Sequence, residues 1–219
     1  MIDKVKYDRL KREFGKVASW AYWNNPAPGR SETQNCKEFI GPGCFGDEKK
    51  VLANLQSKYA FVALNPSGVA PTKNQQESMP DWNNFHNTSN DARLRHVLKD
   101  SPYWGSYITD FFKGNNPDNF SSDSSSEKVN REEDDPKVQA AWHALEAEVN
   151  ILGDVEILFA LGHTAESYLK KFVQHRKKAG RPETRVIYFP HYSMHCNADT
   201  YLAKVQEALG ISPKQGGMP

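Results

Sequence analysis

The sequence predicts an α/β domain with a doubly wound parallel sheet, and three observations support this prediction. Four apolar runs have the length of strands, and three of them are nearly continuous, which is typical of strands that helices cover on both faces. Apolar residues at helical spacing fill the segments between the runs. Strands and helices alternate from residue 59 onward, as they do when helical crossovers join parallel strands.

The predicted strands cover residues 59–64, 106–109, 155–161 and 185–190. Helices are predicted around residues 10–21, 51–55, 94–98, 138–152, 165–172 and 201–209. Asp135-Pro136 is typical of a helix start, because a capping residue precedes a proline at the first helical position. Ser89 or Asn90 is expected to cap the third helix.

The chain is expected to divide into three parts. Residues 1–58 form N-terminal helices and an irregular wrap packed on the core, residues 59–210 form the α/β domain, and residues 211–219 form a flexible tail. Within the domain, residues 114–135 are polar and acidic, which predicts a mobile insertion.

The charge is nearly balanced overall but uneven along the chain. The formal net charge of +1 argues against a protein that simply coats nucleic acid. Residues 114–135 hold seven acidic and two basic residues, a net charge of −5, whereas residues 170–185 hold seven Lys and Arg residues against Glu183. This pattern permits a phosphate-bearing ligand without requiring one.

The sequence predicts a cytoplasmic protein without a membrane span. It contains no run of about 18 apolar residues, and its first residues carry charge where a signal peptide has an apolar core. Cys36, Cys44 and Cys196 are too few for a disulfide framework and one short of a four-cysteine cluster, so we expect reduced thiols. We also expect a monomer.

Polar residues follow each predicted strand, at the edge of the sheet where α/β proteins bind ligands. The four segments are 65–68, Asp110, 162–164 and 191–195. Asn65-Pro66 forces an extended backbone and then a turn, so the asparagine amide points out of the sheet edge. Asn65 then either caps that turn or holds a water molecule for a reaction.

His191 follows the last strand, where an imidazole can polarise a carbonyl or stabilise an oxyanion, although a purely structural histidine is also consistent with the sequence. His191 and His195 form an H-x-x-x-H pair that can hold a metal if the segment is helical, but no third ligand is evident apart from Cys196. We therefore expect no metal and no cofactor.

Two further segments have both a functional and a structural interpretation. Gly162-His163-Thr164 joins a strand to a helix whose N-terminus can bind an anion, although capping by Thr164 explains the sequence equally well. Phe85 lies in the loop after the first strand, where an aromatic ring either stacks on a planar ligand or packs as a lid.

Together these segments resemble the uracil-DNA glycosylase superfamily over residues 59–210. Leu64-Asn65-Pro66-Ser67-Gly68 is similar to the first motif of its Asn-Pro branches, and His191-Tyr192-Ser193 stands where the second motif, His-Pro-Ser or a relative, is found. Residues 107–110 resemble the strand that usually ends in a base-reading asparagine, and residues 158–162 resemble the third strand.

The resemblance implies a three-layer α/β/α sandwich around a four-stranded parallel sheet, with base flipping and metal-free hydrolysis of the N-glycosidic bond. Asn65 would position the water, and His191 would stabilise charge on the departing base. The implied base-binding residues are Pro66, Ser67, Phe85 and Asp110, and the implied DNA-phosphate-binding residues are Gly68, Gly162, Ser193 and His195. The implied partner is DNA or a nucleobase-containing ligand.

The sequence departs from that family at three positions. Tyr192 replaces the proline of the second motif, Ala63 replaces a glycine of the first, and Asp110 replaces the asparagine. An ionised aspartate accepts hydrogen bonds but donates none, so it disfavours uracil O4 and favours an edge with N–H donors, such as that of guanine or cytosine. The absence of four cysteines excludes the iron–sulfur branches.

These departures predict a divergent DNA glycosylase-like hydrolase with non-uracil specificity. The alternative is a non-catalytic module of the same fold that binds a nucleobase, a nucleotide, DNA or a protein partner. Metal-dependent hydrolysis at His191 and His195 is a weaker third hypothesis.

Overall fold

The computed structural model describes residues 1–23, 48–65, 81–82, 84–86, 91–99, 101–113 and 132–210. The strands are β1 Ala18–Trp20, β2 Gln56–Ala63, β3 Ser106–Asp110, β4 Ile157–Leu161 and β5 Arg185–Phe189. The helices are α1 Lys4–Phe14, α2 Glu48–Asn54, α3 Asp91–Leu98, α4 Pro136–Leu152, α5 His163–Lys178 and α6 Ala198–Ala208.

The five strands form one sheet in the order β1-β3-β2-β4-β5. The four predicted strands are parallel to their neighbours, in agreement with the predicted fold class. The sheet differs from the predicted four-stranded one because β1 adds an antiparallel edge, with Ala18 opposite Thr109. The protein therefore has an α/β fold with a mostly parallel five-stranded sheet.

The prediction of one helix around residues 10–21 was wrong at its C-terminal end. α1 ends at Phe14, and the Gly15 amide donates to the Lys11 carbonyl. Residue 15 is a glycine because a Cβ there would lie only 2.4 Å from the Lys11 oxygen. Val17 and Ala21 matched a helical spacing by coincidence. The three residues of β1, which lie between Val17 and Ala21, are fully buried. Three consecutive buried residues are typical of a strand that is covered on both faces, whereas a surface helix buries only one face.

The start of α4 confirms the predicted cap. The Asp135 carboxylate accepts a hydrogen bond from the Lys137 amide at 2.7 Å, and Pro136 occupies the first turn. The candidate caps of α3, Ser89 and Asn90, lie outside the described residues, as do most of the acidic insertion and the C-terminal tail.

The core has two apolar clusters, one on each face of the sheet. Alternate residues of β2 show this, since Ala60 and Val62 belong to one cluster and Phe61 and Ala63 to the other. The first cluster includes residues of α1, α4 and α5, and the second includes residues of α3 and α6. Helices thus cover both faces, and in the described ranges none of them is long and apolar enough to cross a membrane.

Candidate functional site

The strand order places four of the predicted site residues at one edge of the sheet. Among the parallel strands, β2 comes first in the chain but lies between β3 and β4, so the order reverses between β2 and β4. Ligands of open α/β sheets bind in the crevice at such a reversal, beyond the carboxyl ends of the strands. Asp110 ends β3 and pairs with Ala63, whereas Asn65, Gly162 and His191 follow the ends of β2, β4 and β5.

Asn65 lies just beyond the hydrogen-bonded end of β2. The Ala63 and Leu64 carbonyls accept hydrogen bonds from the amides of Phe111 and Phe112, at 2.7 and 3.0 Å. The backbone is therefore held up to the residue before Asn65, which is half-buried. The other members of this motif, Pro66, Ser67 and Gly68, lie outside the described residues.

The His191 imidazole is held in one orientation by the loop that follows β5. Its Nδ1 accepts a hydrogen bond from the Ser193 amide at 3.2 Å and lies 2.7 Å from Ser193 Oγ. Because a backbone amide can only donate, Nδ1 carries no proton and Nε2–H is the donor of the neutral ring. Burial lowers the pKa of His191 from 6.5, which favours this neutral form.

Two neighbours fix the plane and position of that ring. Tyr192 stacks on it, with centroids 4.7 Å apart and planes at 17°. Gly162 follows the end of β4, and a Cβ added at this glycine would lie 3.7 Å from His191 Cβ. The Gly162 amide also donates to the Phe189 carbonyl at 2.9 Å, which ties the ends of β4 and β5 together.

Arg93 holds the backbone of the same loop from the side of α3. Its guanidinium donates to the Met194 carbonyl at 2.5 Å and lies 3.5 Å from the Tyr192 carbonyl. Arg93 and Asn84 could not be predicted from a short motif, because the site residues that they contact, Met194 and Asp110, lie more than 20 positions away.

Ser193 and His195 were expected to contact DNA phosphate. In this structure the Ser193 hydroxyl lies 2.7 Å from His191 Nδ1 and the His195 side chain is exposed, and their contact with phosphate stays a prediction. Residues 191–197 are not helical, so the condition for metal binding by the H-x-x-x-H pair is not met. Within the described ranges, no group of three or more His, Cys, Asp or Glu residues is placed to hold a metal ion.

Asp110 is a buried carboxyl group at the end of β3, with 1% of its surface exposed. Its Oδ2 accepts a hydrogen bond from Asn84 Nδ2 at 2.9 Å, whereas its Oδ1 has no hydrogen-bond partner among the described residues. Burial raises the pKa of Asp110 from 3.8 to about 7, against the effects of Asn84 and the Lys113 ammonium. The assumption of a fully ionised aspartate therefore needs correction, because both protonation states are populated near neutral pH.

Asn84 connects Asp110 to the aromatic residues beside His191. Its amide nitrogen also donates to the Val17 carbonyl at 2.8 Å, and its oxygen accepts from the Phe85 amide at 3.1 Å. Phe85 has a positive φ of 62° and is 5% exposed, and its ring packs edge-on against Tyr192 with centroids 6.4 Å apart. These contacts are those of a packed lid residue, and stacking of Phe85 on a base stays a prediction.

A buried ion pair lies behind the C-terminal end of β3. Lys113 Nζ lies 2.5 Å from Glu148 Oε2 and also donates to Thr109 Oγ1 and to the Asp110 carbonyl, both at 2.6 Å. Glu148 Oε1 accepts from the hydroxyls of Tyr107 and Thr109, at 2.9 and 2.8 Å. The pair thus anchors β3 to α4 and fixes the backbone that carries Asp110.

Comparison of the chain with protein-family models finds no match, and a search of curated proteins finds none either. The similarity to the uracil-DNA glycosylase superfamily therefore depends on the short motifs that carry it.

The hydrogen bonds of His191 predict its tautomer. At pH 7 we expect an unprotonated Nδ1 and a protonated Nε2, with a pKa below 6.5 because burial disfavours the imidazolium. Long-range proton–nitrogen NMR correlations during a pH titration measure both quantities. A ring protonated on Nδ1, or a pKa above 6.5, would contradict this geometry.

Removal of Lys113 tests the anchoring of β3. Lys113→Met leaves the Glu148 carboxylate buried without its cation, and we expect a loss of about 3 kcal/mol in the free energy of unfolding. Urea denaturation measures it. Lys58→Met breaks an ion pair of similar length at the surface, so this control variant should unfold close to the wild type. Equal effects of the two substitutions would mean that the buried pair has no special role.

Asp110→Asn tests the cost of the buried carboxylate. A folded-state pKa above the unfolded one means that stability is lost as the pH rises from about 4 to about 7, because the unfolded chain then ionises more readily. The asparagine does not ionise, so the variant should gain about 2 kcal/mol relative to the wild type between pH 5 and pH 8. Urea denaturation at the two pH values gives the difference, and a constant difference would refute the raised pKa.

Proposed function

We propose that this protein is a nucleobase-recognising N-glycoside hydrolase, similar to the uracil-DNA glycosylases but acting on a base other than uracil. The observation that supports this most is the neutral His191, whose Nδ1 accepts from the Ser193 amide so that Nε2–H is the donor of the ring. His191 follows β5 and Asn65 follows β2, and β4 lies between these two strands, next to the reversal of strand order.

A neutral imidazole with a fixed Nε2–H suits cleavage of an N-glycosidic bond. As the bond breaks, its electrons move onto the departing base, and a donor already aimed at a base oxygen or nitrogen stabilises that negative charge. Because burial lowers the pKa of His191, the ring acts as a hydrogen-bond donor and not as a cationic acid. Ser193 is then a positioning residue, since it acts through the imidazole.

Asn65 would hold the attacking water on the sugar side. Its amide oxygen can accept a hydrogen bond from a water molecule, and Pro66 after it restricts the backbone that carries it. We infer that Asn65 and His191 act from the two sides of the reversal between β2 and β4, one on the nucleophile and one on the leaving group.

Asp110 would select the base. When ionised, its unpartnered Oδ1 accepts a hydrogen bond from an amino group or ring N–H of the base; when protonated, it donates to a carbonyl instead. A pKa of about 7 for Asp110 therefore makes the preferred base edge depend on pH. We expect amino-bearing bases to be favoured above pH 7 and keto-bearing bases below it.

The alternative is a binding module that does not cleave, and the placement of the basic residues favours it. Most of the positive charge of residues 170–185 lies along α5, which begins at the candidate site and runs away from it. Arg176 is 13 residues beyond the start of α5, about 20 Å along the helix. This basic segment therefore gives the site little attraction for the DNA backbone.

A panel of oligonucleotides tests the proposal. Single- and double-stranded DNA carrying uracil, hypoxanthine, xanthine, or alkylated guanine and cytosine is incubated with the protein, and abasic sites are scored. We expect turnover on a base other than uracil, and a loss of at least about a hundredfold in Asn65→Ala and His191→Ala with DNA affinity retained. Lys58→Met, far from the site at an exposed ion pair, serves as the control.

Two outcomes contradict the proposal. Excision of uracil at ordinary glycosylase rates at pH 8, where Asp110 with a pKa of about 7 is mostly ionised, contradicts the non-uracil specificity. If no base is released, and the two alanine variants instead weaken binding, the protein is the binding module.

A further inference from the structure

A cavity lies between α4 and α5, toward the C-terminal end of α5 and away from the candidate site. Its volume is about 200 Å³. Its lining side chains are mostly polar and include Trp142, Glu146, His175, Arg176 and Arg181. Since a water molecule takes up about 30 Å³ of liquid, the cavity has room for a small molecule and not merely for a single water.

Three of the lining side chains carry buried polar atoms that have no hydrogen-bond partner in the part of the chain that the structure describes. They are Trp142 Nε1, Arg176 Nε and Glu146 Oε1. Trp142 and Arg176 are only 5% and 4% exposed. Buried N–H groups are almost always paired in folded proteins, so two such donors at one cavity indicate an occupant with acceptor atoms.

The local backbone builds this site by folding Arg181 back over the end of α5. Gly180 adopts a positive φ of 69°, the Arg181 amide donates to the Arg176 carbonyl at 3.0 Å, and the Gly180 amide donates to that of Lys177 at 3.1 Å. This pair of hydrogen bonds is a Schellman turn, in which glycine is favoured at the left-handed position. The turn places Arg181 near Arg176, so that both arginines lie beside the Glu146 carboxylate of α4.

The charges at the cavity do not balance. Glu146 Oε2 is hydrogen-bonded to Arg176 Nη1, and Glu146 Oε1 lies 3.5 Å from Arg181 Nε, without the geometry of a hydrogen bond. One carboxylate thus faces two guanidinium groups, which leaves one positive charge. The rings of Trp142 and His175, with centroids 4.9 Å apart and planes tilted by 33°, line the cavity beside it.

We propose that the cavity between α4 and α5 binds a small organic anion, whose carboxylate or phosphate oxygens accept hydrogen bonds from Trp142 Nε1 and Arg176 Nε. Arg181 supplies the balancing charge at the mouth, where its side chain is about half exposed. Water alone can satisfy the two donors, whereas an anion also pairs with the half-exposed Arg181 guanidinium. This site is independent of the proposed hydrolase activity and lies on another part of the molecule.

Indole NMR signals test the proposal directly. The chain has five tryptophans and therefore five indole N–H signals, and Trp142→Phe identifies the one from Trp142. The full chain is titrated with inorganic phosphate and with malonate, at an ionic strength held constant with chloride. We expect a saturable shift of the Trp142 signal with at least one of the two anions, and the response to each shows whether phosphate or carboxylate is preferred.

Arg181→Gln is the main variant, because its half-exposed side chain can be replaced without emptying the core. We expect it to weaken anion binding about tenfold, which corresponds to the loss of one charge-assisted hydrogen bond. Lys177→Gln removes an exposed charge from the same end of α5 outside the cavity and should leave the affinity unchanged. No saturable shift with either anion, or an equal loss in both variants, would overturn the proposal and leave a water-filled cavity.

Discussion

The hydrogen bonding of β2 to two parallel neighbours is the constraint on which the site depends. Ala63 pairs with Asp110 on β3, and Val62 pairs with Ala160 on β4, so the carboxyl ends of three strands meet at one level. β5 extends this edge through the pairing of Leu161 with Phe189. Residues as far apart in the chain as Asn65 and His191 therefore follow strands that end at the same edge of the sheet.

Once the strand ends are fixed, the orientation of each polar group is set by buried contacts behind it. Lys113 and Glu148 hold the end of β3, Asn84 holds the Asp110 carboxyl, and Ser193 with Tyr192 holds the imidazole of His191. Such supporting contacts hold polar groups in place before a reaction begins. Electrostatic catalysis depends mainly on this preorganisation, because little reorganisation is then needed during the reaction. The proposed reaction would use polar groups that are already held in place in this way.

The sequence allowed the four parallel strands and the residues that follow them to be predicted, because continuous apolar runs and strand-end polar residues are local signals. β1 was not predicted, since a three-residue strand such as Ala18–Trp20 has no periodicity and its neighbours happened to match a helix. The protonation states of Asp110 and His191 were also out of reach. They depend on burial and on partners such as Asn84, which only the folded chain brings together.

Asp110 is a position where the proposed ligand would offset a cost in stability. An asparagine has nearly the same shape and can hydrogen-bond to Asn84, yet it avoids the desolvation that raises the pKa of the aspartate. The carboxyl group therefore costs stability at neutral pH, and its Oδ1 finds no compensating donor in the described part of the fold. Local rules are broken in this way mainly at functional sites. A ligand N–H would supply the missing hydrogen bond, and binding of that ligand would stabilise the folded state.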